Sequence, residues 1–210
     1  MPLIHSNMKS RPFIPFLLIT LSLITSLYLW ANWSTSKPSW THVNPIVLSI
    51  GDKVDSFNGV YVYYNGNIGH VLERNIGKDG YNIGLKYQCV EFVKRYYYQF
   101  YKHKMPDSYG HAKDFFNKKL SDGALNQARN LRQFSNPSSS KPKVGDIVIF
   151  DGHLGNPYGH VAIVSDVSDE SIEIIQQNPG PTAPSRENIT MTYVNGRFEL
   201  ESGLGWLGNR

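Results

Sequence analysis

The chain holds a single cysteine, Cys89, and what surrounds it decides what a lone thiol can do. One cysteine cannot close an internal disulfide or build a multi-thiolate zinc or iron–sulfur site. That leaves a buried filler, an accidental surface group or a reactive nucleophile. Cys89, Phe92, Val93, Tyr96, Tyr97 and Phe100 recur at three- and four-residue spacing, the pattern of one apolar helical face with Glu91, Lys94 and Arg95 off it. At the start of such a helix, unpaired N–H groups and the macrodipole favour the thiolate, the reactive form. His160 opens a second apolar run, from which an imidazole can project from a sheet edge towards a helix end. A cysteine and a histidine brought together are a nucleophile and its base. Each also has a blander reading: a cysteine on an apolar helical face as core, and one histidine among seven as a structural residue.

The hairpin that follows His160 adds a partner. Residues 160–164 and 172–176 are joined by a polar segment carrying Asp166, Ser168 and Asp169. A turn centred on Ser168 sets His160 opposite Gln176. Period-two alternation then predicts His160, Ala162, Val164, Ile172, Ile174 and Gln176 on one face. The Gln176 amide would neighbour the imidazole and orient it; a polar residue fraying at a strand end is the alternative.

These residues need elements to hold them. Residues 60–64, flanked by Asn58-Gly59 and Asn65-Gly66, predict a short strand. Residues 68–87 are glycine-rich and read as loop. Ala112, Phe115, Phe116 and Leu120 predict a second short helix with Ser108 as its cap, and residues 121–143 read as a polar surface excursion. Residues 144–150, 159–164 and 172–177 predict strands. Asn195-Gly196, between residues 191–194 and 197–200, is a two-residue hairpin signal. Helices ahead of an antiparallel sheet make the class α+β.

Three stretches carry a family resemblance: Tyr87-Gln88-Cys89-Val90-Glu91-Phe92-Val93-Lys94-Arg95, Pro142-Lys143-Val144-Gly145-Asp146-Ile147-Val148-Ile149-Phe150 and Gly159-His160-Val161-Ala162-Ile163-Val164. In this order they resemble the CHAP domain (cysteine, histidine-dependent amidohydrolase/peptidase). More closely, they resemble the amidase half of bifunctional glutathionylspermidine synthetase/amidase, with the synthetase half expected to be missing. The stretch Gln176-Gln177-Asn178 and the late Leu204-Gly205-Trp206 fit the same pattern, so the resemblance runs from about Asn58 to Leu207. It implies a papain-like (CHAP/NlpC-type) domain, with N-terminal helices packed on an antiparallel sheet. It also implies Cys89 as nucleophile, His160 as base, and no metal or organic cofactor.

The family's amidase has a glutamate in the third role, where this chain has Gln176. A glutamate would stabilise the imidazolium by charge, whereas an amide fixes tautomer and ring angle; papain-like enzymes generally use an asparagine there. Asn178 is the reserve candidate for that role, and Asp151 a third through its loop. In the implied mechanism the Cys89 thiolate attacks an amide carbonyl to give a thioester. His160 protonates the departing amine and then activates water. The Cys89 backbone N–H faces the tetrahedral oxyanion, with the Gln88 side chain as a second donor.

Composition narrows the class further. The 210 residues are 40% hydrophobic and 18% charged, which excludes a disordered chain. The net charge of +4 sits mostly in residues 1–40, where Lys9, Arg11 and Lys37 have no acidic counterpart. The rest is nearly neutral, and nucleic-acid binding through a basic face loses its support. Residues 13–31 carry no charge and, as a helix, span about 28 Å, close to a bilayer's apolar thickness. Lys9 and Arg11 should stay cytoplasmic and send the rest outward.

The expected organisation is therefore a basic n-region (1–12), a transmembrane anchor or cleaved signal (13–31), a linker (32–44) and a CHAP-like domain (45–210). The domain would lie on the periplasmic side, anchored in the inner membrane or secreted if the segment is cleaved. Its substrate would be a cell-wall peptide or a small peptide-amide such as glutathionylspermidine; a catalytically inactive CHAP-fold binding protein is the other class. His153 and His160 with Asp151 lack the spacing of a metal-ligand set. The aromatic cluster at residues 96–101 reads as core plus helix surface, with a sugar-stacking platform as its rival.

Overall fold

The computed structural model describes residues 47–180 and 182–209, together with Thr25. The membrane or signal segment and the linker expected at residues 13–44 thus lie, Thr25 apart, outside the described residues. No helix of the described residues is long and apolar enough to cross a membrane.

Two small hairpins come first. Strand β1 (Lys53–Phe57) pairs antiparallel with β2 (Val60–Tyr63), and β3 (Arg74–Ile76) with β4 (Asn82–Leu85). The turn between β1 and β2 is Asn58-Gly59, both at positive φ (48° and 79°), as a tight right-twisted hairpin demands. The stretch 68–87, expected as loop, thus holds β3 and β4. Helix α1 (Cys89–Gln99) follows, then a single 3₁₀ turn at Ala112–Phe115.

The remaining strands are β5 (Leu125–Asn126), β6 (Leu131–Ser135), β7 (Ile147–Phe150), β8 (His160–Val167), β9 (Ser171–Ile175), β10 (Arg186–Val194), β11 (Arg197–Leu200) and β12 (Gly205–Gly208). They form one antiparallel sheet in the order β11-β10-β9-β8-β7-β12-β6-β5. The Asn195-Gly196 hairpin forms as its sequence dictates, with φ of 52° and 79°.

Alternation sorts the strand residues onto two faces. Ile147, Ile149, Val161, Ile163, Ile175 and Leu207 pack with Phe92, Val93, Tyr96 and Tyr97 of α1. Val148, Ala162, Val164, Ile172, Ile174 and Trp206 pack with Phe134, Met191 and Leu200 from the far strands. That second cluster is enclosed because the two ends of the sheet meet. Just past β6, Ser138 exchanges backbone hydrogen bonds with Phe198 of β11 (3.0 and 2.7 Å), and Asn136 bonds both sides of the Leu200 peptide (2.8 and 2.9 Å). That bridge covers part of the β11 edge, and β5 stays the terminal strand on the other side.

Three expectations are corrected. Between residues 47 and 209 there is one α-helix, not several. Phe116 and Leu120 do not extend the 3₁₀ turn, which is capped by His111, whose N–H donates to Asp114 Oδ2 (2.7 Å), rather than by Ser108. Residues 121–143 are not a surface excursion, since they supply β5 and β6 and bury Leu131, Gln133 and Phe134. Their polar groups are satisfied internally: Gln133 takes the Asn117 N–H (2.8 Å) and donates to the Asn117 carbonyl (2.9 Å).

Helix α1 is also more enclosed than its period suggests. Glu91, Lys94 and Arg95 are as buried as the apolar face, because β2 and β4 cover the side that the sheet leaves open. Glu91 accepts from Arg95 Nε (2.6 Å), Asn75 (2.7 Å) and Gln177 (2.9 Å). Arg95 also donates to the Tyr61 carbonyl (2.8 Å), and Lys94 to the carbonyls of Asn82 and Ser108. Tyr96 and Tyr97 are buried in a cluster with Phe57 and Tyr101, so they offer no sugar-stacking platform. Breaking the buried Glu91–Arg95 pair leaves an uncompensated charge: Glu91→Ala should cost about 3–5 kcal/mol in urea denaturation, whereas removing the solvent-exposed Lys86–Glu73 pair should leave the midpoint unchanged.

Candidate active site

Gln88 precedes α1 in extended conformation (φ −79°, ψ 160°) and makes no side-chain cap. Cys89 is therefore the first residue of the helix, at its open N–H end. Gly84 of β4 lets the strand approach that first turn. Its φ is +141°, and a Cβ there would sit 3.0 Å from Glu91 Cα. On the other side, Gly159 (φ +75°) brings the chain into β8 where a Cβ would lie 2.5 Å from the Phe150 carbonyl. His160 follows at once. Cys89 and His160 line one cavity of about 610 Å³, with Gln88, Arg74, Tyr109 and Tyr158 among its other walls.

The imidazole is held from behind. His160 Nε2 lies 2.9 Å from Gln176 Oε1. The Gln176 amide is itself oriented by donating through Nε2 to the Pro184 carbonyl (3.2 Å) and to Glu187 Oε2 (3.3 Å). With the amide oxygen turned to the ring, Nε2 carries the proton and Nδ1 is left with the lone pair.

The route to this contact differs from the expected hairpin. The pairs are Val167↔Ile172, Asp166↔Glu173, Val164↔Ile174 and Ile163↔Ile175, with a bulge at Ser165. Continued outward, that register sets Ala162 against Gln176, so His160 reaches Gln176 diagonally. The slip is of two residues, which preserves the faces.

Asn178 does not orient the histidine. Its Nδ2 donates to the Ile68 carbonyl and to Gln88 Oε1 (both 3.0 Å), with its backbone at φ 57°. Gln88 Nε2 in turn donates to the His70 carbonyl (2.6 Å). Both bonds fix the Gln88 amide at the cavity wall and leave one of its N–H groups for another acceptor. Asp151 is not part of the lining; Lys118 (2.8 Å) and the Gly152 N–H (2.9 Å) occupy it. His153 accepts from the Gly155 N–H in a local turn (3.1 Å).

Gln177 is the residue that sequence reasoning missed. Fully buried, it takes the Tyr63 N–H (2.9 Å) and donates to the Gln88 carbonyl (3.1 Å) and to Glu91. It ties β2, the end of β9 and the head of α1 together. The signal was three amides in a row, Gln176-Gln177-Asn178, ending an apolar strand.

Burial sets the resting charges. It pushes the Cys89 thiol up to about 11, against backbone N–H groups of Val161, Val90 and Cys89 that pull the other way. It pushes the His160 imidazole down to about 4, with the Gln176 hydrogen bond opposing. The thiolate expected from the helix dipole is thus outweighed by desolvation. Both shifts favour a neutral thiol and a neutral imidazole at rest.

Such a site, a buried thiol at a helix head and an amide-anchored imidazole facing one cavity, defines a thiol–imidazole class of centre. Residues 79–178 match the CHAP domain. The chain is 31% identical to glutathionylspermidine synthase from Crithidia fasciculata, covering 60% of this chain and 19% of that one. It is 30% identical to trypanothione synthetase from the same organism, over 50% of this chain and 16% of that one. Against the bifunctional glutathionylspermidine synthetase/amidase of Escherichia coli it is 29% identical, over 60% of this chain and 22% of the relative. The match thus spans about a fifth of these relatives' length.

The neutral pair fixes a pH profile. Alkylation of Cys89 by iodoacetamide should hold a plateau from neutrality down to about pH 4, then fall as His160 takes up a proton, and should rise again towards pH 11. An acid limb near the ordinary histidine value would contradict the burial of the ring.

Proposed function

We propose that this chain is a cysteine amidase or peptidase of papain-like design, which hydrolyses an amide bond through a thioester on Cys89. The observation that supports it is the sharing of one cavity by Cys89 and an imidazole whose Nε2 is committed to Gln176. In this reading His160 Nδ1 takes the Cys89 proton as Sγ attacks the substrate carbonyl. The tetrahedral oxyanion accepts from the Cys89 backbone N–H and the second Gln88 N–H, each worth about 3 kcal/mol in such sites. Collapse breaks the C–N bond, the Nδ1 proton leaves with the amine, and a thioester remains. Water then gives a proton to Nδ1 and its hydroxide to the acyl carbon, and the thiol is released protonated.

The apolar segment 13–31 supports export, and an enzyme must share a compartment with its substrate. We therefore favour a peptide of bacterial peptidoglycan, reached from a membrane anchor or after secretion. The likeness to glutathionylspermidine synthetase/amidase favours a second reading, hydrolysis of the amide between a glycine and spermidine.

Incubating the full chain with purified peptidoglycan and, separately, with glutathionylspermidine separates the two by mass-resolved products, with Cys89→Ala as control. Cleavage of the wall peptide alone is expected. Cleavage of glutathionylspermidine alone would transfer the assignment to the second reading, and products persisting in Cys89→Ala would refute both. Gln176→Ala should lower kcat/KM at least about tenfold by freeing the ring, while Gln176→Glu, which keeps an acceptor at that place, should retain most activity.

A further inference from the structure

The charges around the cavity are one-sided. Among the residues lining it, Arg74 is the one formally charged side chain, and none is Asp or Glu. The Arg74 guanidinium lies over the Tyr109 ring (5.3 Å) and spends one N–H on Asn82 Oδ1 (3.2 Å). It forms no ion pair among the described residues. The acids near it are engaged elsewhere: Glu73 with Lys86 (2.8 Å), Asp107 with the Tyr109 N–H (3.0 Å) and Asp114 with the His111 N–H (2.7 Å).

Two further cations lie behind the wall without a carboxylate at ion-pair distance, with Asp107 and Glu91 offsetting part of the Lys94 charge and Asp107 and Asp114 part of that of Arg129. Lys94 is buried and donates to the carbonyls of Asn82 and Ser108 (2.6 Å for the second). Arg129 is buried over the Phe115 ring (4.0 Å) and donates to the carbonyls of Asp107, Tyr109 and Asp114 (2.5, 3.3 and 3.3 Å). Together they hold residues 107–114 as the cavity wall. A guanidinium with open donors beside an aromatic face suits a planar carboxylate. A polyamine, by contrast, would meet like charge at Arg74.

We propose that the cavity is selective for anionic amides, and that Arg74 is the specificity residue, binding a carboxylate of the substrate near the scissile bond. This rests on the amidase reading: an acidic acyl group fits beside Arg74, and a cationic amine held there does not.

The test uses Cys89, the chain's one cysteine, as a reporter in the full chain. Iodoacetate and iodoacetamide alkylate it by the same displacement of iodide and differ in carrying or lacking a carboxylate. Each rate is referred to that of the urea-unfolded chain. The iodoacetate-to-iodoacetamide ratio should exceed the unfolded ratio, and Arg74→Gln should lower it about fivefold or more. Arg74→Lys should restore part of it. A ratio indifferent to Arg74, or protection of Cys89 by spermidine, overturns the proposal. The nucleophile reading is scored separately, by the absolute iodoacetamide rate and its fall in His160→Ala, so the two can fail independently.

Discussion

The Glu91 carboxylate has 1% of its surface exposed, and the groups that satisfy it come from three separate parts of the chain. Arg95 lies one turn along the helix, Asn75 is on β3, and Gln177 follows β9. Gln177 also grips the Gln88 carbonyl, so the residue before the thiol is pinned to the strand that carries Gln176. Replacing such a network by apolar side chains can be neutral for stability. Its distinct contribution is geometric: a charge that must be paired allows one seat for the helix head, and Cys89 opens onto His160 in that seat.

Around this anchor the protein uses amides where charges would be costly. Gln176 orients His160, Asn178 orients Gln88, and Gln177 orients the helix head. A neutral orienter matches a neutral pair. With the imidazole pushed down to about 4 and the thiol up to about 11, no charge is separated before substrate arrives. In the proposed mechanism, proton transfer from Cys89 to His160 coincides with attack, when the developing oxyanion gives the helix N–H groups a charge to stabilise. Arg74, Lys94 and Arg129 stand at or behind the cavity wall, while Arg95 donates to Gln177 Oε1 (3.2 Å) and helps to hold that amide.

Much of this is legible in the residues, and the exceptions share a cause. The Asn-Gly turns, the strands around His160 and the period of α1 follow from local geometry, and the structure has each of them. Contacts set by distant segments do not. Glu91, Lys94 and Arg95 look like a solvated helix face until β2 and β4 are laid over them. Residues 121–143 look like loop because Gln133 and Asn126 satisfy one another inside the fold. The turn lies between Asp169 and Glu170 instead of at Ser168, a shift of three in pairing, and the Ser165 bulge takes one back, a net slip of two that no alternation pattern can reveal. Because two is even, Gln176 still faces His160. The thiolate expectation weighed the helix dipole without the burial that opposes it.

The covalent intermediate is where the account is most exposed. Intact-mass and peptide-level mass spectrometry of the full chain, acid-quenched within milliseconds to seconds of mixing with a cleaved peptide amide, looks for an acyl group on the thiol. The account predicts an adduct of the acyl fragment's mass on the peptide bearing Cys89, present in the wild type and absent in Cys89→Ala. Turnover with Cys89 replaced, or an acyl group carried on any other residue, would contradict it.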